Sequence, residues 1–179
     1  MMNTKTILLG ITGGIAAYKA ADIANTLTKK GYAVDAVMTK NAREFITPLT
    51  IETLTKRRVY TDSFERAHGF DVEHIGLAKA ADLVLIAPAT ANFIGKVAGG
   101  IADDLLTTVV MAAHKKPVVI CPAMNTEMYE NPLVLGNIEK LAALGYRFIE
   151  PREALLACGD LGKGALADID SIIKFIESF

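Results

Sequence analysis

The stretch Pro122-Ala123-Met124-Asn125-Thr126-Glu127-Met128-Tyr129 places a carboxamide just past the apolar run 118–121. Asn125 carries two donors and an acceptor, so it can hold a carboxylate or an amide while staying uncharged. The same residue can instead cap a helix starting at Thr126, a common use of asparagine after a strand. A parallel arrangement stands upstream, where the run 82–87 leads into Pro88-Ala89-Thr90-Ala91-Asn92-Phe93. Small residues there let a flat ring approach the backbone, and Thr90 and Asn92 can bond its edge or a phosphate. A third strand end, Thr12-Gly13-Gly14-Ile15, offers amides at a helix N-terminus, a natural anion site.

Two reactive side chains complete the candidates. His74 can move a proton near neutral pH, or it can be a plain imidazole at a helix end. Cys158 lies in the glycine-rich run Ala157-Cys158-Gly159-Asp160-Leu161-Gly162-Lys163-Gly164. That run is either a mobile flap that brings a thiol to a substrate or an ordinary surface loop. Cys121 ends an apolar run and reads as a small buried hydrophobe.

These residues need a scaffold that collects strand ends. The chain predicts one: a strand over 6–11, a helix through Ala24 and Leu27 closed by Lys29-Lys30-Gly31, and a second strand over 34–38. A helical stretch over 41–55 breaks near Pro48, and 59–61 reads as a short outer strand. Residues 63–72 form a polar loop, exposed or facing a partner, before a short helix over 73–79 and a strand over 82–87. A helix over 96–113, interrupted at Gly99-Gly100 and restarted at Asp103-Asp104, precedes a strand over 117–121. A helix over 131–144 and a last strand over 146–149 follow. The closing helix over 168–179 presents Ile169, Ile172, Ile173 and Ile176 on one face. Alternating strands and helices imply an α/β parallel sheet, whose ligands bind outside the strands' C-terminal ends where strand order reverses.

The glycine turn does not spell G-x-G-x-x-G, and Thr39-Lys40-Asn41 rather than an acid closes the second strand. Both features argue against NAD and favour a mononucleotide. The 179 residues suit a single domain, 1–179, with a substrate flap around 152–168. The net charge of -1, mixed along the chain, gives no footprint for nucleic acid or an anionic membrane. No apolar run approaches the roughly 20 residues that span a bilayer. The N-terminus lacks a signal-peptide layout, so a cytoplasmic protein is expected. Two cysteines without neighbouring ligands at zinc spacing predict neither a disulfide framework nor a metal site.

Five stretches taken in order carry a resemblance: Gly13 to Lys19, His74-Ile75-Gly76-Leu77-Ala78, Pro88 to Asn92, Pro122 to Tyr129, and Ala157-Cys158-Gly159-Asp160 with Gly162 and Gly164. Over essentially its whole length the chain resembles the homo-oligomeric flavin-containing cysteine decarboxylases. Among them it looks like the members that act on 4′-phosphopantothenoylcysteine in coenzyme A biosynthesis. The resemblance implies a Rossmann-like three-layer fold with six parallel strands in the order 3-2-1-4-5-6. It implies FMN held by Gly13, Gly14, Ile15, Thr39, Lys40, Asn41, Thr90, Ala91, Asn92, Phe93 and Ala123. Catalysis is implied for His74, Asn125 and Cys158, and substrate contact for Asn125, Met128, Ala157 and Cys158. A homotrimer or dodecamer with flavin sites between subunits is implied, with no nucleic acid, membrane or metal.

The implied reaction gives 4′-phosphopantetheine. Flavin oxidises the cysteine side chain to a thioaldehyde, carbon dioxide leaves from the carboxylate β to that C=S group, and the ene-thiol is re-reduced. The Ala-Cys-Gly-Asp run argues for the full reaction over the peptide cysteine decarboxylases of lantibiotic maturation, which stop at the ene-thiol. Flavin prenyltransferases, related in fold, would not carry the Pro-x-Met-Asn stretch with this histidine. A catalytically silent flavin-binding subunit is the alternative, opposed by the intact His74, Asn125 and Cys158. With Phe179 as the last residue, a monofunctional carboxy-lyase and a separate ligase are expected. Tyr129 stands where the family often has Trp. Gly164-Ala165-Leu166-Ala167 replaces Gly-Arg-Met, which leaves Lys163 as the flap's candidate for the substrate phosphate.

Overall fold

The computed structural model describes residues 4–63, 73–157, 159 and 161–179. Its centre is a sheet of six parallel strands in the order β3-β2-β1-β4-β5-β6. The strands are β1 (Thr6–Ile11), β2 (Ala33–Met38), β3 (Val59–Tyr60), β4 (Leu83–Ala89), β5 (Val118–Pro122) and β6 (Arg147–Phe148). This is the expected α/β order 3-2-1-4-5-6, with strand order reversing between β1 and β4.

Both faces of the sheet are covered, so the inner strands are apolar throughout, and period-2 alternation sorts their residues by layer. Ile7, Leu9 and Ile11 of β1, with Val34, Ala36 and Met38 of β2, pack under α1 (Ala20–Lys29), α2 (Pro48–Thr55) and a later helix, α8 (Ile169–Glu177). Leu8, Val37, Val84, Ile86 and Ile120 face the other layer. That layer holds α3 (Glu73–Ala80), α4 (Ala91–Ala98), α5 (Leu105–Ala112) and α7 (Pro132–Ala143). Each fully buried Leu or Ile in these layers contributes about 1.5–3 kcal/mol of transfer free energy. Gly10 of β1 makes the second layer possible: a Cβ there would stand 2.6 Å from Ile86 Cδ1 and 2.7 Å from Leu106 Cδ1.

Three expectations need correction. The helix expected over 96–113 begins five residues early, at Ala91, because Thr90 caps it by accepting a hydrogen bond from the Phe93 amide at 3.3 Å. Asp104 stands before the restarted helix α5 rather than within it. It forms a capping box with Thr107. The strand over 146–149 is also not the last. Residues 152–168, the expected substrate flap, contain an antiparallel hairpin of β7 (Arg152–Leu155) and β8 (Leu161–Ala165). Its glycines hid the period-2 pattern, and close packing rather than flexibility accounts for two of them, as shown below.

Residues 64–72 of the expected polar loop lie outside the described residues. No helix among the described residues is long and apolar enough to cross a membrane.

Candidate active site

The site is built where β1, β2, β4 and β5 end. Thr12 directly follows β1 and is 1% exposed. Its hydroxyl donates to the Pro88 carbonyl at 2.8 Å and accepts from the Thr90 amide at 3.0 Å. One buried side chain therefore fixes the end of β1 against the turn after β4. The next residue, Gly13, approaches the loop after β2: a Cβ there would overlap Asn41 Cβ and stand 2.7 Å from the Asn41 carbonyl carbon. Any side chain at Gly13 would thus push two loops apart.

Each loop then turns into a helix. A 3₁₀ turn over Ile15–Lys19 follows Gly14, and another over Lys40–Glu44 is capped by Thr39, which accepts from the Ala42 amide at 3.3 Å. Thr90 caps α4. Asn125 caps the single turn α6 (Thr126–Tyr129), accepting from the Glu127 amide at 2.9 Å. The capping reading of Asn125 is the one this hydrogen bond shows, and the same residue also faces the space between the strand ends. Helix starts bring positive backbone ends toward the same space, which favours an anion there.

That space is a cavity of about 900 Å³, in the upper part of the roughly 300–1,000 Å³ range of small-molecule sites. All eleven residues expected to hold the flavin line it, as do Asn125, Met128 and Ala157. The hairpin closes one wall, with Arg152, Ala154, Gly164, Ala165 and Leu166 among the lining residues. Cys158, the remaining flap candidate, lies outside the described residues. The cations Lys19, Lys40, Lys96 and Arg152 line the cavity against one acid, Asp104. Lys96 is partly neutralised, bonding Asp103 at 2.8 Å and Asp104 at 3.5 Å, and its hydrogen bond to Asp103 raises its own pKa and lowers that of Asp103. The balance still favours a phosphorylated ligand. FMN fits this lining: small residues Gly13, Gly14, Ala91 and Ala123 leave room for a flat ring, and capped helix starts and lysines suit its phosphate.

His74 is not among the residues that line the cavity. It stands half-buried in the first turn of α3. Lys163 is also elsewhere: its ammonium bonds Glu150 at 2.6 Å and lies 5.7 Å from the Tyr129 ring centroid. The hairpin's lining cation is instead Arg152, the cross-strand neighbour of Ala165, which also contacts Asp168 at 3.2 Å. Sequence reasoning missed Thr12 and Arg152. An apolar strand ending in a hydroxyl before two glycines was the available signal for Thr12; Arg152 required the hairpin register. Cys121 is fully buried, and burial pushes its thiol pKa up, consistent with a core residue. Among the described residues, no cluster of three His, Cys, Asp or Glu side chains could hold a metal ion.

A family model described as Flavoprotein matches residues 1–179. The chain belongs to the flavoprotein family. A relative in Streptococcus mutans, described as a probable phosphopantothenoylcysteine decarboxylase, is 50% identical over 175 residues, spanning 97% of this chain and 98% of the relative. The coenzyme A biosynthesis bifunctional protein CoaBC of Bacillus subtilis is 48% identical over 177 residues, covering 99% of this chain but 43% of that protein. This flavoprotein therefore spans less than half of the bifunctional relative. Among solved structures, it is similar to a cysteine-to-serine mutant of a PPC decarboxylase complexed with pantothenoylaminoethenethiol. That match has a TM-score of 0.88 and 34% identity, covering 99% of this chain and 98% of the other. The FMN-dependent cysteine decarboxylase SpaF matches with a TM-score of 0.83 and 36% identity, over 96% and 94% of the two chains.

Proposed function

We propose that this protein is an FMN-dependent decarboxylase that converts 4′-phosphopantothenoylcysteine to 4′-phosphopantetheine in coenzyme A biosynthesis. One observation carries the proposal: the carboxamide of Asn125 and the small-residue, helix-capped floor suited to FMN share one cation-lined cavity. Full-length similarity to a probable phosphopantothenoylcysteine decarboxylase supports the substrate.

A carboxylate next to an amide-bearing carbon has no electron sink of its own. FMN, when bound, supplies the two-electron oxidation that turns the side-chain carbon into C=S and the reduction that later restores it. The protein's residues do the rest. The Asn125 side chain is held by the Glu127 amide at 2.9 Å, and in this proposal it orients the leaving carboxylate. A neutral amide does so without the ground-state stabilisation an arginine would give, which would oppose loss of carbon dioxide. His74 acts on proton transfer or charge near that carboxylate. Cys158, between β7 and β8 in the sequence, donates the proton that accompanies re-reduction of the ene-thiol. Arg152 and the lysines around the cavity suit the two phosphates of cofactor and substrate.

Because His74 does not line the cavity of its own chain, we infer that it serves the cavity of a neighbouring copy in a trimer-based homo-oligomer. We infer a cytoplasmic location from the proposed role in coenzyme A biosynthesis. The test is direct: purified protein loaded with FMN should be yellow and release carbon dioxide from 4′-phosphopantothenoylcysteine. A protein that binds no FMN and leaves this substrate untouched would overturn the proposal.

A further inference from the structure

The segment expected to be a flexible flap is joined to the loop that carries Asn125 by two glycines. Strand β8 runs against residues 124–126, and the Met124 amide donates to the Gly164 carbonyl at 2.9 Å. A Cβ on Gly164 would overlap the Met124 carbonyl oxygen and stand 3.4 Å from the Asn125 carbonyl carbon. A Cβ on Gly162 would overlap Thr126 Oγ1 and stand 3.0 Å from Thr126 Cγ2. Gly162 and Gly164 are alternate residues of one strand, so they present one edge to the residues flanking Asn125 on both sides. Neither has a positive φ. What requires glycine at both positions is the absence of a side chain, not backbone freedom.

We propose that Gly162 and Gly164 are positioning residues for the decarboxylation. By admitting the backbone of residues 124–126, they lock β8 to the Asn125 turn and make the two one rigid wall of the cavity. This rests on the function proposed above. Its mechanical consequence is that β8 and Asn125 move together, and the Asn125 carboxamide keeps its aim whenever the hairpin is docked. Thr126 bears out the tightness, because its Oγ1 is buried beside Gly162 without a hydrogen-bond partner.

The two contacts differ in kind, which makes them separable. The Gly162 clash is with a side chain that can be trimmed, whereas the Gly164 clash is with backbone that cannot. In FMN-loaded protein, Gly162→Ala and Gly164→Ala should each lower kcat for 4′-phosphopantothenoylcysteine on the order of 10–100-fold, the scale of a misplacement near 1 Å. KM should change less, and flavin absorbance should persist. Adding Thr126→Ala should recover much of the loss in Gly162→Ala and none in Gly164→Ala, a non-additive result expected only of touching residues. Gly136→Ala, on α7 with open space around it, is the control for introducing a methyl group. Wild-type kcat in Gly164→Ala, or strictly additive behaviour of Gly162→Ala with Thr126→Ala, would overturn the proposal. If Gly164→Ala fails to fold, the Gly162 and Thr126 pair decides alone. Hydrogen exchange at the Met124 amide separates this idea from the activity itself. It should speed up in Gly164→Ala even if the wild type turns over no substrate, an outcome that would defeat the decarboxylase proposal but not the lock.

Discussion

The Thr12 hydroxyl accepts the Thr90 amide at 3.0 Å while donating to the Pro88 carbonyl at 2.8 Å. It joins two strand ends 78 residues apart in sequence, at the point where the sheet's strand order reverses. Thr12→Val keeps the shape but leaves a part-buried amide without this acceptor, so it should cost about 1 kcal/mol of stability. It should also loosen the Thr90 turn and weaken FMN binding. Urea unfolding of apoprotein and a flavin titration check the two effects separately. Unchanged flavin affinity would show that the link is structural only.

Asp35 and Arg57 anchor the sheet far from any chemistry. The carboxylate, with its side chain 9% exposed, receives Nε at 2.6 Å and Nη2 at 3.1 Å from an arginine that is 45% exposed. Arg57→Ala leaves a buried charge unpaired. Water can reach the vacated side, so the loss should be nearer about 1–3 kcal/mol than the 3–5 of a fully buried pair. For a chain of this size that is a fall in melting temperature of roughly 2–4 °C per kcal/mol. Turnover of folded protein should be unaffected. A change in KM at 25 °C would indicate that the β2–β3 side of the sheet communicates with the cavity.

Much of this architecture was legible in the sequence because the signals were local. The apolar runs and the glycine after Lys30 fix elements from neighbours a few residues away. The strand-end loops with amides were legible for the same reason, and they do meet in one cavity. The hairpin was not legible. Its strands carry Gly162 and Gly164 because of a contact with residues 124–126, almost 40 positions upstream, and no local pattern encodes that approach. The same blindness applied to Thr12, whose partners come from β4, and to Arg152, whose place on the cavity wall depends on pairing with Ala165.

The Cys121 thiol should stay protonated and unreactive in the folded protein. Cys121 is 0% exposed, and burial alone raises its pKa above the ordinary 9.0. The folded chain therefore keeps this proton where the unfolded chain has lost it. The associated stability is complete below pH 9.0 and declines as pH rises above it, by up to about 1.4 kcal/mol per pH unit for one proton. Comparing wild type with Cys121→Ala by urea unfolding at pH 8 and pH 10 isolates that contribution, since the lysines titrate equally in both. In Cys158→Ser, a thiol reagent at pH 8 should find no reactive group until the protein is denatured. A fast-reacting thiol in the native variant would contradict the burial of Cys121.

The position of His74 yields a quantitative test of assembly. It lies in the first turn of α3, yet the cavity that contains Asn125 is lined without it. If a neighbouring copy supplies the histidine, each working site takes Asn125 from one chain and His74 from the next, a head-to-tail arrangement that closes into a ring. His74→Asn and Asn125→Asp should each bind FMN and each be inactive alone. Co-expressed in equal amounts, they form mixed rings. A site is intact only where a chain carrying Asn125 adjoins a chain carrying His74, each with a chance of one half, so about a quarter of wild-type activity per flavin should return. Were His74 to act within its own chain, no mixed ring would contain an intact site and the mixture would be as inactive as its parents.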